Sequence, residues 1–210
     1  MQSIDIANLA LVRIGMTPIC DFDDSAKGAV QCKRFFPVVR DRVLRDHHWS
    51  FAAKHCDLAE LEIEAPDRGF EFCCALPGDV IRVIGLESLH RYRIFGSNIL
   101  VNALPERLFY TARIINAEFF DPLFCEALEY MLASELVMAN TREGDMVNYF
   151  RQEYERRLMT ARSVDSMENI HACQRQPRRS SFLAARRGAT GIPGNTGEPV
   201  NFVEGDAGVQ

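Results

Sequence analysis

The chain has one tryptophan, Trp49, and no apolar run of the length that spans a bilayer. Its N-terminus lacks a charged region followed by an apolar stretch and a small-residue cleavage site, so a soluble protein made inside the cell is expected. Positive charge is not in surplus: a net charge of -5 and an isoelectric point near 5.6 argue against a protein that grips DNA broadly. A protein that lets DNA slide past it stays allowed. The seven cysteines, at 20, 32, 56, 73, 74, 125 and 173, are odd in number and contain no C-x-x-C spacing, so they read as reduced residues of the core. Also missing are G-x-G-x-x-G after a strand, G-x-x-x-x-G-K-[ST], H-E-x-x-H and G-x-S-x-G, and with them the commonest nucleotide, zinc-protease and hydrolase signatures.

What is present suffices for a core. With 210 residues, 47% apolar and 25% charged, the chain can form one domain with an inserted lobe. Its organising stretch is Arg40 to Ala52, RDRVLRDHHWSFA. Upstream of it Ala29, Cys32, Phe36, Val39 and Val43 recur at steps of three and four, which places them on the core face of a helix. Trp49 and Phe51, two apart, are expected to point the same way from an extended strand and to anchor two subdomains. The charges between them allow i,i+4 pairs, Asp41 with Arg45 and Arg42 with Asp46, on a solvated helix face.

In chain order, Ser3 is a plausible N-cap for a first helix carrying Ile6, Leu9, Val12 and Ile14 and closed by Gly15. Asp23, Asp24 and Ser25 offer cap chemistry to a second helix ending near Asp46, which Pro37 should kink or divide. Strand patterns follow over 70–76, 80–86, 90–95, 99–101 and 108–114, separated by turn formers such as Pro77-Gly78-Asp79 and Gly96-Ser97-Asn98. They predict a small antiparallel β lobe over 51–118. Asp121-Pro122 starts a helix with Cys125, Leu128, Leu132 and Leu136 on one face and Phe124, Met131 and Met138 off it, a pattern for burial on more than one side. After a polar turn at 141–144, Val147, Phe150, Tyr154, Leu158 and Ala161 mark its antiparallel partner, led by acids and ended by arginines. The fold class is therefore α+β: a helical bundle (1–50 and 119–168), an inserted β lobe (51–118) and an extended C-terminal arm (169–210).

Chemistry is thin along the chain. His47, His48, His55 and Cys56 could supply zinc-type ligands, yet they lack the two close pairs of a structural site, and no metal or cofactor is expected. Cys73 and Cys74 are adjacent and point to opposite faces of a strand, which disfavours a shared metal or a redox pair. In the arm, Arg175, Arg178, Arg179, Arg186 and Arg187 precede glycines at 188, 191, 194 and 197, too few triplets for a collagen-like helix. The arm is expected to dock on another subunit, its arginines setting the approach by charge. Ile192, Val200, Phe202 and Val203 would fill partner pockets, with Phe202 the best anchor.

Taken together, ALVRIG at 10–15, FFPVVRDRVLRDHHWSFAAKHCDLA at 35–59, ALPGDVIRV at 75–83, LFYTARI at 108–114 and FFDPLFCEALEYMLASELV at 119–137 resemble the podovirus tail tubular protein A family. These are the head-to-tail adaptors below the portal of tailed phages. The resemblance covers about residues 3–165 in the family's order and leaves the arm outside. His48 stands where relatives are expected to have proline before the tryptophan, which bears on the corner's rigidity. The resemblance implies a non-enzymatic virion protein of the tail or neck, made in the host cytoplasm. Its copies would form a dodecameric ring joining the portal protein to the distal tail or nozzle protein. Double-stranded DNA would cross the central channel without sequence-specific binding, and no membrane is involved. The alternatives are another phage connector, such as a head-completion or tail-terminator ring, or a metal-dependent hydrolase or binding module using His47, His48 or His55. Thiol titration of the denatured protein should find all seven cysteines free; paired cysteines would overturn the reduced-core reading.

Overall fold

In the first turn, the Gln2 backbone N–H donates to the Asp5 carboxylate at 2.7 Å, so Gln2 rather than Ser3 caps helix α1, Ser3–Arg13. The structure, a computed structural model, describes residues 1–168 apart from positions 64, 66, 68, 141 and 142. Arg178, Arg179, Arg186, Arg187, Ile192, Val200, Phe202 and Val203, with the rest of the expected arm, lie outside the described residues. Gly15 closes α1 with φ +75°, and the Met16 N–H returns to the Leu11 carbonyl at 2.9 Å. The buried face is Ile6, Ala7, Ala10 and Leu11, whereas Leu9 and Val12 are exposed. The two alanines add little to a hydrophobic pattern, yet their small side chains let the helix lie close to its neighbour.

Helix α2, Lys27–Asp46, runs through Pro37 as one helix instead of two. Pro37 is exposed, so the carbonyl that loses its partner one turn back lies on the solvent side. Its N-terminus has no side-chain cap. Asp24 accepts from the Cys20 and Asp21 N–H groups and Asp23 pairs with Lys33, so the expected capping acids fold and tether the preceding loop. Helix α3, Pro122–Asn140, begins as its sequence predicts: the Asp121 carboxylate accepts from Leu123 at 2.7 Å and Phe124 at 3.1 Å. It packs on α1, on α2 and on α4, Gly144–Glu168, and is buried on several sides, though Met138 is exposed. Contacts of Glu126 with Arg157 and of Tyr130 with Phe150 set α3 and α4 antiparallel. The face of α4 is Val147, Phe150, Tyr154, Leu158 and Ala161 as patterned, but the helix continues past Arg162 and its last turn carries no base.

The β region divides into two three-stranded antiparallel sheets among the described residues. Its strands are β1 (Ala53–Asp57), β2 (Phe72–Ala75), β3 (Val80–Leu86), β4 (Arg93–Phe95), β5 (Asn98–Val101) and β6 (Arg107–Ala112). The sheet orders are β1-β6-β3 and β2-β5-β4. Gly96, with φ +61°, makes the tight β4–β5 turn that pairs Phe95 with Asn98. Strand β3 is bulged between Val80 and Arg82 and again between Val83 and Gly85. Leu108, Tyr110 and Ala112 share a core with Leu86 of the first sheet and Cys74, Ile99 and Val101 of the second. Of the described cysteines, all free, Cys32, Cys73, Cys74 and Cys125 are buried, Cys56 is half-buried and Cys20 is exposed. Among the described residues no helix is long and apolar enough to cross a membrane.

Candidate functional site

The stretch from Arg40 to Ala52 is where helices and sheets meet, and it differs from its sequence pattern at once. Trp49 is followed by a 3-10 turn, Ser50–Ala52, so Phe51 does not lie on an extended strand. The turn still keeps the two rings 6.0 Å apart. Trp49, 1% exposed, meets Phe124 of α3 edge to face at 5.1 Å and His47 at 5.0 Å. Phe51 meets Phe124 at 5.0 Å and Phe120 at 5.8 Å. Such offset and edge contacts add to the burial of the rings themselves.

A second layer is polar. The last carbonyls of any α-helix lack helical partners, and here they point into the corner. The Trp49 indole N–H donates to the Val43 carbonyl at 3.0 Å, Arg82 of β3 to the Arg45 carbonyl at 3.3 Å, and Arg162 of α4 to the Asp46 carbonyl at 2.7 Å. Two of these donors are cations at the negative end of the helix dipole. Asp165 of α4 completes the corner, accepting from the Ser50 N–H at 3.0 Å, the Ser50 hydroxyl at 2.6 Å and His47 Nε2 at 3.0 Å. The Asp46 carboxylate accepts from the Tyr154 hydroxyl, whose pKa burial and that carboxylate push well up.

The expected i,i+4 pairs do not form. Asp41 instead bonds Arg40 and Arg113, each at 2.8 Å, Arg42 approaches Glu135 at 3.8 Å, and Arg45 donates to the Ile81 carbonyl at 2.8 Å. A pair within one exposed helix stabilises by only about 0.2–0.5 kcal/mol, so fixed partners on β3, α3 and the end of β6 displace it. The charges of α2 are thus tertiary contacts. Beside them Lys54 reaches Asp79 at 2.8 Å and Tyr110 donates to Asp79 at 3.2 Å; burial and Asp79 push the Tyr110 pKa up to about 12.

The histidines have side-chain neighbours of three kinds: a carboxylate, a hydroxyl and a ring. A nucleophile relay needs the imidazole between hydroxyl and carboxylate, whereas Asp165 lies between Ser50 and His47. His48 Nδ1 lies 3.3 Å from the Thr111 hydroxyl, and His55 faces the Phe109 ring at 6.0 Å. Among the described residues no group of three or more His, Cys, Asp or Glu side chains is placed to hold a metal ion.

Asp165, Arg162 and Thr111 were not singled out by the sequence reading. The signal for Asp165 was available, since it continues the stripe Tyr154, Leu158, Ala161 and an acid on a core stripe implies buried partners. The same holds for Glu129 on α3, which pairs with Arg13; the Arg13 guanidinium lies 4.2 Å from the Tyr130 ring centre and that of Arg157 lies 5.0 Å away.

Trp49→Ala is expected to cost roughly 3–5 kcal/mol in urea unfolding, because a fully buried ring is removed and the Val43 carbonyl loses its donor. A variant that melts like the parent would refute the anchor role. His48 has its pKa lowered by burial, then by Arg82 and His47, so protonation disfavours the folded state. Its contribution is complete above the ordinary histidine pKa of 6.5 and is lost as pH falls through that value towards the lower folded one. Stability measured from pH 7.5 to 5 should therefore fall less steeply in His48→Asn than in the parent; parallel curves would exclude this role.

Compared with known proteins, the chain matches no protein-family model and no curated protein sequence.

Proposed function

We propose that this protein is a head-to-tail adaptor of a tailed phage, a structural virion component whose copies form a ring between the portal and the distal tail. The observation that carries the reading is where the family-like stretches fall. Residues 35–59 supply most of α2, the corner and β1; 75–83 lead into and begin β3; 108–114 form most of β6; 119–137 form most of α3; and 10–15 close α1. Strands β1, β6 and β3 are one sheet, α3 packs on α1 and α2, Trp49 seats the corner on that bundle through Phe124 and Val43, and Arg82 of β3 ties the sheet to the end of α2 beside it.

The joint suits a part that transmits position between two partners, because its contacts are directional hydrogen bonds and interlocked rings. A net acidic subunit suits a channel that DNA crosses without being gripped. In this reading the bundle (1–50 and 119–168) and β lobe (51–118) make the ring body, the arm (169–210) reaches the portal or a neighbouring subunit, and twelve copies close the ring. The protein is made in the host cytoplasm and resides in the virion.

The test is particle mass and electron microscopy of the full-length protein with and without portal. Ring-shaped particles attached to the portal are expected, at one adaptor per portal subunit if the ring is dodecameric. A chain that stays monomeric and never associates with portal would overturn the assignment.

A further inference from the structure

A groove of about 610 Å³ opens between β3 and the β4–β5 hairpin, bounded at one end by the last turn of α2. Its apolar walls include Leu76, Ile81, Val83 and Ile94, the last 50% exposed. Strand β3 lies at the edge of its sheet, so no strand covers its outer side among the described residues. Two exposed arginines line the same groove, Arg45 and Arg82. Each donates to a main-chain carbonyl, Ile81 for Arg45 and Arg45 for Arg82, and neither has a carboxylate within 4.0 Å among the described residues. A neutral carbonyl satisfies an N–H and leaves the positive charge uncompensated. The groove thus combines apolar walls with two cations, one at the helix end and one on β3, which fits a segment combining acids with a few large apolar side chains.

The C-terminal arm ends in a segment of that composition. After Arg187 no Lys or Arg occurs, and Glu198 to Asp206, EPVNFVEGD, has three acids with Val200, Phe202 and Val203 between them. The arginine-rich stretch before it has the wrong sign for this site. We propose that the groove receives residues 198–206 of a second copy of the chain, with Phe202 seated among the apolar walls and the flanking carboxylates on Arg45 and Arg82. The choice of a second copy rests on the ring reading above, in which each subunit presents its groove to a neighbour's arm. The carboxylates supply orientation and approach, while burial of Phe202 supplies most of the affinity. Repetition around the ring offsets the cost of ordering each segment.

Full-length protein carrying Arg82→Lys gains an amine at the groove, which a zero-length carbodiimide couples to a carboxylate in contact with it. Denaturing electrophoresis followed by peptide mapping then separates the cases. Links from position 82 to Glu198, Glu204 or Asp206 are expected in bands of two or more chains, and Phe202→Ala should lower their yield by roughly tenfold. Arg45→Lys, which keeps the charge, should report the same segment from the other side of the groove. Links confined to the single-chain band would overturn the second copy as occupant. Particles of full ring mass with no link at either position would overturn the groove proposal and leave the adaptor reading standing. Particles of monomer mass would overturn both.

Discussion

Helix α2 ends where bundle and sheet meet, and its last carbonyls, like those of any helix, need donors from outside the helix. Most helices meet this need with a glycine turn or with water. Here the donors are the Trp49 indole, Arg82 of β3 and Arg162 of α4, on the carbonyls of Val43, Arg45 and Asp46. A typical hydrogen bond adds only about 1 kcal/mol net, but leaving a buried carbonyl unpaired costs about 1–3 kcal/mol. That penalty applies to the Val43 carbonyl, whose bond to Trp49 is buried; the bonds to the Arg45 and Asp46 carbonyls are exposed, and there Arg82 and Arg162 direct strand and fourth helix to the same point. The helix end is therefore a point of convergence, and the sheet is fixed to the bundle by backbone chemistry as well as by packing.

The aromatic layer gives the same joint its depth. Trp49 and Phe51 leave the chain on either side of Ser50, and Phe124 of α3 meets both, with Phe120 completing the cluster. Asp165 holds Ser50 by its N–H and hydroxyl, which fixes the 3-10 turn and so the directions of the two rings. Apolar contact alone would tolerate sliding; three hydrogen bonds to one buried carboxylate do not. That restriction holds the turn, and the two rings it carries, in a constant relation to α4.

Much of this was legible in the sequence where one physical rule dominates. Asp121-Pro122 starts α3 as capping chemistry requires, and α4 buries the face its periodicity marks. The fold class, helices with antiparallel sheets, follows from the change of period after Ala52. Reading failed where tertiary partners overrode a local rule. The buried face of α1 turns on Ala7 and Ala10, which hydrophobic spacing undervalues against Leu9 and Val12. Asp41, Arg42 and Arg45 satisfy local pairing on paper, yet each finds a better placed partner on another element. Phe51 enters a turn because Ser50 has a carboxylate to bind, and nothing near it in sequence announces Asp165. The division into two sheets depends on which strands pair across the chain, a choice that alternation within a strand does not encode.

Arg45 and Arg82 belong both to the joint and to the groove, and the guanidinium makes that double role possible. Its five donors lie in a rigid plane, so one N–H engaged by a carbonyl leaves others directed elsewhere. A carboxylate approaching Arg82 from the groove need not displace the carbonyl of Arg45; it pairs with the remaining donors and holds the side chain in the orientation the joint already uses. Lysine keeps the charge but would have to divide three donors of a mobile ammonium between the two tasks. Docking at the groove in the proposed ring therefore reinforces the end of α2 instead of competing with it. In that proposal attachment of a neighbour and stiffness of the corner rise together, because the same two side chains serve both.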